Sequence, residues 1–118
     1  MSAENLSLFG IYEMQIDERV SREQQLIGGN HSKIRILACL EHEEAGWINV
    51  LRLPEGVILR NGEKSEGELT PLTPSFIDRY GHQAKRLHVK SGSYLVGYFH
   101  IEKIAPSTPF AHYRELKT

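Results

Sequence analysis

The amino-acid sequence predicts a mainly β fold, either a small antiparallel barrel or a strongly curved sheet of six to seven strands with one short helix. Short segments in which apolar and polar residues alternate indicate strands that are buried on one face. Turn-forming residues separate these segments about every 8–12 positions, as is typical of small all-β domains. The one short helix is expected after Ser75. An α+β sandwich is the alternative architecture.

The first strand is expected at residues 8–16, where alternate residues such as Tyr12 and Met14 share one face. The polar segment 17–27 fits either one or two helical turns or a twisted strand, and both alternatives stay open. Gly28-Gly29-Asn30 then interrupts the pattern, because Gly and Asn adopt positive φ at low cost.

The clearest strand pattern follows at residues 33–40 and 47–53. In the first of these segments, Ile34 and Ile36 share one face. The polar connection between the segments, residues 41–46, ends in glycine and is short enough to join antiparallel neighbours. We therefore expect a hairpin.

A second hairpin is expected around Asn61-Gly62. This dipeptide suits a type I′ turn, in which both central residues have positive φ. A short strand at residues 57–60 would lead into the turn, and residues 64–69 would return as a polar edge strand.

Residues 70–74 are expected to form a connection, because their two prolines remove two donors from a strand ladder. Ser75 is then suited to cap a short helix that places Phe76 and Tyr80 on one face. Gly81 weakens this helix and limits it to about two turns.

The last hairpin is expected from strands at residues 86–90 and 93–104, which flank a turn at Ser91-Gly92. Its second strand is partly apolar on both faces, which is typical of a strand at the centre of a sheet. Residues 105–118 are expected to form an irregular C-terminal extension. The 118 residues are expected to make a single domain, because a second core would leave both parts too small to bury enough surface.

The single cysteine, Cys39, has no partner for an internal disulfide, and nothing in the sequence resembles a signal peptide. Both features lead us to expect a cytoplasmic protein. The longest nearly uncharged apolar segment, residues 91–101, is far shorter than the roughly 20 residues that span a bilayer. No membrane partner is expected.

Charge is distributed unevenly along the chain. Residues 1–78 carry thirteen acidic and seven basic side chains, whereas residues 79–118 carry two acidic and seven basic ones. No acidic residue occurs between Arg79 and Ile101. Asymmetry of this kind can mark a surface for nucleic acid or another acidic partner.

The acid-free segment also contains aromatic residues. Cations interleaved with rings suit single-stranded nucleic acid, because phosphates meet the cations and bases stack on the rings. We therefore expect a non-enzymatic binding or regulatory module that recognises an acidic macromolecule, either a nucleic acid or a protein. The predicted binding residues are Arg79, Tyr80, Lys85, Arg86, Lys90, Tyr94 and Tyr98.

Two other classes of function are consistent with the sequence. The first is an interaction or assembly module that forms a homo-oligomer, such as a homodimer, through an exposed strand edge, for example the one before Asn61-Gly62. The second is a small enzyme centred on His42, Glu44 and Cys39, since a nucleophilic thiol needs a neighbouring base. The six histidines and the cysteine form no HExxH or CxxC motif, so neither a metal nor another cofactor is expected.

Overall fold

The computed structural model describes residues 6–16, 27–28, 33–73, 75–81 and 84–107. Within these ranges the chain forms eight strands and a short π-helix. The strands are β1 (Leu6–Met14), β2 (Ile27–Gly28), β3 (Lys33–Cys39), β4 (Trp47–Arg52), β5 (Ile58–Leu59), β6 (Lys64–Pro71), β7 (Arg86–Ser91) and β8 (Tyr94–Pro106), and the short helix is Ile77–Gly81. The ambiguous segment 17–27 lies outside the described residues, apart from Ile27 in β2.

Six of the strands close into an antiparallel barrel in the order β1, β6, β4, β3, β7, β8, and β8 pairs back onto β1. Strands β2 and β5 form a separate two-stranded ribbon. The predicted barrel is confirmed, and the α+β sandwich is wrong, because helical structure in the described ranges is confined to residues 75–81. No helix in these ranges is long and apolar enough to cross a bilayer.

The core lies inside the barrel, where alternate residues of each strand point. Both Tyr12 and Met14 are buried, as the alternation in β1 predicts. The Tyr12 hydroxyl donates to the carbonyl oxygen of Val96, so this buried polar group is paired. Other residues of the barrel strands that are buried in this core are Leu8, Ile36, Ala38, Leu51, Leu69, Leu87, Val89 and Phe99.

Two glycines allow β1 and β8 to approach closely along the seam where the barrel closes. A Cβ on Gly10 would overlap the backbone carbonyl of His100. A Cβ on Gly97 would overlap the carbonyl oxygen of Glu13 and would lie 2.6 Å from the nearest atom of the Tyr12 ring. The seam therefore requires residues without a side chain at both positions.

The predicted hairpin around Asn61-Gly62 is wrong. Strand β6 does not pair with β5 but lies between β1 and β4, with Leu69 opposite both Leu8 and Leu51. Closure of the barrel gives this polar strand two neighbours, so it is not an edge strand. Because the turn joins strands that are not paired, the twist of a type I′ turn is not needed.

The turn itself has the arrangement of a type II turn. Gly62 has a φ of +93° while Asn61 does not have positive φ, and the Glu63 amide donates to the Arg60 carbonyl at 2.9 Å. The connection expected at residues 70–74 begins later in the structure than the sequence predicts. Strand β6 continues through Pro71, which pairs with Asn49 of β4 but lies beyond the last pair with β1, so its missing N–H is tolerated as on an edge strand.

The β7–β8 hairpin is confirmed, but its turn and register differ from the prediction. Ser91 pairs with Tyr94, so the turn residues are Gly92 and Ser93. A bulge between Val89 and Lys90 then shifts the register of the two strands. Strand β8 also continues through Pro106, two residues into the expected C-terminal extension, because its last residues pair with the start of β1.

Candidate binding face

Three residues of β7 form a line on the outer surface of the barrel. Arg86, His88 and Lys90 alternate with buried Leu87 and Val89. In the neighbouring strand, the residues directly opposite the three are His100, Tyr98 and Leu95. Directly opposed residues share a face of the sheet. These six residues, Arg86, His88, Lys90, Leu95, Tyr98 and His100, are called the β7–β8 face.

Arg86 already has two partners on this face. Its Nη2 lies 2.9 Å from Glu41 Oε1, and its guanidinium carbon lies 4.6 Å from the centre of the Tyr98 ring. The ion pair is exposed, so it contributes at most about 1 kcal/mol to stability. The stacked guanidinium occupies one face of the Tyr98 ring, which reduces the surface that Tyr98 can offer to a nucleic-acid base.

His88 is half-buried between Tyr98 and Glu41. Its ring meets the Tyr98 ring edge-on at 5.1 Å, and its Nε2 lies 3.9 Å from Glu41 Oε1. Burial, with a further contribution from the positive charge of Arg86, lowers the pKa of His88 below its usual value. His88 therefore adds little positive charge to the face at neutral pH.

His88 should make the protein less stable in mild acid. Because the folded state lowers the pKa of His88, the unfolded chain binds its proton more readily, and stability falls as the pH drops below about 6.5. When the pH is lowered from about 7.5 to about 5.5, we expect the free energy of unfolding to fall less in His88→Gln than in the wild type. Urea unfolding at both pH values measures this difference. Equal losses for the two proteins would show that His88 is not the group responsible.

A carboxylate from β1 lies next to the β7–β8 face, on the side of β8. Glu13 lies opposite Tyr98, and its Oε1 is 3.0 Å from His100 Nε2. The hydrogen bond with His100 lowers the pKa of Glu13, so this group is ionised at neutral pH. Both Glu13 and Glu41 are far from residues 79–101 in sequence. Only the pairing of β7 with β3 and of β8 with β1 brings them to the β7–β8 face.

Tyr80 lies in the core and not on the predicted surface. Its side chain is 5% exposed and packs against Phe76 and Trp47. Its hydroxyl donates to Glu43 Oε2 at 3.0 Å and accepts from Trp47 Nε1 at 3.2 Å. Tyr80 thus holds the β3–β4 loop against the end of the barrel, and its ring is not available for stacking with a ligand.

The other predicted residues divide between the two ends of the β7–β8 hairpin. Lys85 is exposed directly before Arg86, and Arg79 is exposed on the short helix. Tyr94 is 46% exposed beside the turn at the opposite end, next to Lys90. Arg86, Lys90 and Tyr98 are therefore the predicted residues that share the β7–β8 face.

The three residues proposed for an enzyme differ in their exposure to solvent. Cys39 is buried, and its Sγ donates to the carbonyl oxygen of Glu43 at 3.6 Å. Burial raises the pKa of the thiol, which disfavours the nucleophilic thiolate. His42 and Glu44 are exposed in the loop. Among the described residues, no three potential metal ligands lie together.

No protein-family model matches this chain, and no curated protein or solved structure is significantly similar to it.

Proposed function

We propose that this protein is a non-enzymatic binding module that recognises an acidic macromolecule through the β7–β8 face. The observation that carries the proposal is the position of Arg86 and Lys90 on the same side of one strand. They are four residues apart, so their Cα atoms are separated by about 13 Å along the strand. Exposed Lys85 extends the positive charge at one end.

An acidic protein segment suits this face better than a nucleic acid does. Tyr80 is buried, and the guanidinium of Arg86 covers one face of the Tyr98 ring, so few aromatic faces are left for bases. Glu13 and Glu41 also lie beside the cations and would repel a continuous phosphate backbone. Separate carboxylates on a polypeptide can reach Lys90 without meeting these acids. A cytoplasmic location is part of the same proposal.

Replacing two cations of the face should weaken binding to an acidic polymer. We expect the double variant Arg86→Gln, Lys90→Gln to bind fluorescent poly-glutamate about tenfold more weakly than the wild type at low salt. The measurement is fluorescence anisotropy over a range of salt concentrations. The matched control is Arg60→Gln, Lys64→Gln, which removes the same charge from exposed residues beside another turn.

The result that contradicts the proposal is equal affinity in the wild type and the Arg86, Lys90 variant, or an equal loss in the control. Single-stranded oligo(dT) serves as the competing probe. If it binds more tightly than poly-glutamate and with a steeper salt dependence, the partner is a nucleic acid.

The two other classes of function receive less support. In the closed barrel each strand has a neighbour on both sides, whereas the strand before Asn61-Gly62 is paired on one side, with β2. Within the described ranges, strand-edge assembly is therefore limited to the edges of the short β2–β5 ribbon. The buried thiol of Cys39, with its raised pKa, gives no support to a thiol enzyme.

A further inference from the structure

A row of side chains, four of them aliphatic, crosses the outer surface of four barrel strands, β4, β3, β7 and β8, and continues to Leu72 just after β6. Ile48 lies directly opposite Leu37, which lies opposite Lys90, which in turn lies opposite Leu95. At the other end, the amide of Leu72 donates to the carbonyl oxygen of Ile48 at 3.1 Å. These five residues, Leu72, Ile48, Leu37, Lys90 and Leu95, are called the apolar row.

The apolar row faces solvent. Leu72 is 53% exposed and Ile48 is 44% exposed, while Leu37 and Leu95 are half-buried. Single exposed aliphatic residues are common on protein surfaces, but contiguous ones often mark an interaction site. The strand register makes this group contiguous, since each member lies next to another in the neighbouring strand.

The charged side chains on one side of the apolar row are positive. A second row on the same surface lies beside it and consists of Thr70, Val50 and Arg35. The two rows together contain two cations, Lys90 and Arg35, and no carboxylate. Their chemical complement is a surface that carries both aliphatic side chains and carboxylates. An apolar centre with charged groups beside it is also the usual anatomy of a protein–protein interface.

We infer that the apolar row binds a polypeptide segment in which aliphatic side chains alternate with acidic ones, and that Lys90 pairs with a carboxylate of that segment. The inference rests on the proposed function, because Lys90 belongs to both the β7–β8 face and the apolar row. It adds a second requirement for the partner, which must supply apolar side chains as well as negative charge. Aliphatic residues offer no stacking surface to bases, so they favour a polypeptide over a nucleic acid.

The test compares two synthetic peptides of equal length and charge, one of alternating Glu and Leu and the other of alternating Glu and Ser. We expect the wild type to bind the Glu-Leu peptide about tenfold more tightly than the Glu-Ser peptide by fluorescence anisotropy. The double variant Ile48→Ser, Leu72→Ser should lose this preference. The control Ile58→Ser changes an exposed aliphatic residue of β5, outside the apolar row, and should keep it.

Equal affinity of the wild type for the two peptides overturns the inference, and this comparison needs no variant to fold. If both peptides still bind through Arg86 and Lys90, the proposed function stands while the inference fails. If neither peptide nor poly-glutamate binds, both fail.

Sedimentation equilibrium of the chain without peptide tests whether a second copy occupies the apolar row. A dimer that dissociates in the Ile48, Leu72 variant but not in the Ile58 variant overturns the inference in favour of self-association. A monomer at all concentrations, together with the Glu-Leu preference, supports it.

Discussion

Gly97→Ala should destabilise the protein by about 3 kcal/mol, because the new methyl group has no room at the closing seam of the barrel. It would overlap the Glu13 carbonyl oxygen on one side and press on the ring of Tyr12 on the other. Tyr12 is fully buried and hydrogen-bonded to Val96, so its ring cannot move without disturbing the core. The backbone of β1 would have to shift away from β8.

Chemical denaturation monitored by far-UV circular dichroism measures this loss. The matched control is Gly92→Ala in the β7–β8 turn, where φ is +63° and no atom lies within 4 Å of the added Cβ. This control should cost only the strain of a left-handed residue, about 1 kcal/mol. Similar losses in the two variants would mean that the β1–β8 seam can accommodate a side chain at Gly97.

The barrel could be predicted because the alternation of buried and exposed residues is a local property of each strand. Tyr12 and Met14 in β1 and Ile36 in β3 are buried as their spacing indicates. The partners of the strands are not a local property. The segment after Asn61-Gly62 looks like the second half of a hairpin, but the closed barrel pairs it with β1 and β4. The alternation of apolar and polar residues does not indicate which distant strands will pair to close the barrel.

The candidate binding face could be predicted only in part. Arg86 and Lys90 of the acid-free segment lie on the same side of one strand, because an even number of positions separates them. Their neighbours come from distant parts of the chain, and Glu41 and Glu13 add negative charge that the segment itself lacks. The sequence therefore overstates how positive this surface is.

The apolar row could not be predicted from the sequence either. Leu37 and Ile48 follow the strand pattern without any sign of function, because an apolar residue in a strand is usually part of the core. The strand register shows that both belong to the outer surface, next to Lys90. The sequence gives the residue type, whereas the face that a residue occupies depends on the register with which its strand is paired.

Phe76→Ala should be the second strongly destabilising substitution, with a loss of roughly 3–5 kcal/mol. Phe76 is fully buried, and its ring lies 5.9 Å from the ring of Trp47 and 5.0 Å from that of Tyr80. Its removal leaves a cavity beneath the short helix, where Tyr80 holds Glu43 of the β3–β4 loop. The milder Phe76→Leu keeps most of the volume and should cost less than half as much.

Tyr80→Phe separates packing from hydrogen bonding at the same end of the barrel. It keeps the ring but removes the donor to Glu43 and the acceptor for Trp47, so it should cost about 1–2 kcal/mol.

Trp47 is the only tryptophan of the chain, and its fluorescence therefore reports on this cluster directly. Urea unfolding followed by Trp47 emission and by far-UV circular dichroism should give coincident transitions in the wild type, since the rings belong to the same core as the barrel. If Phe76→Ala altered the emission of Trp47 without moving the circular dichroism transition, the cluster would be an independent cap and not part of the cooperative core.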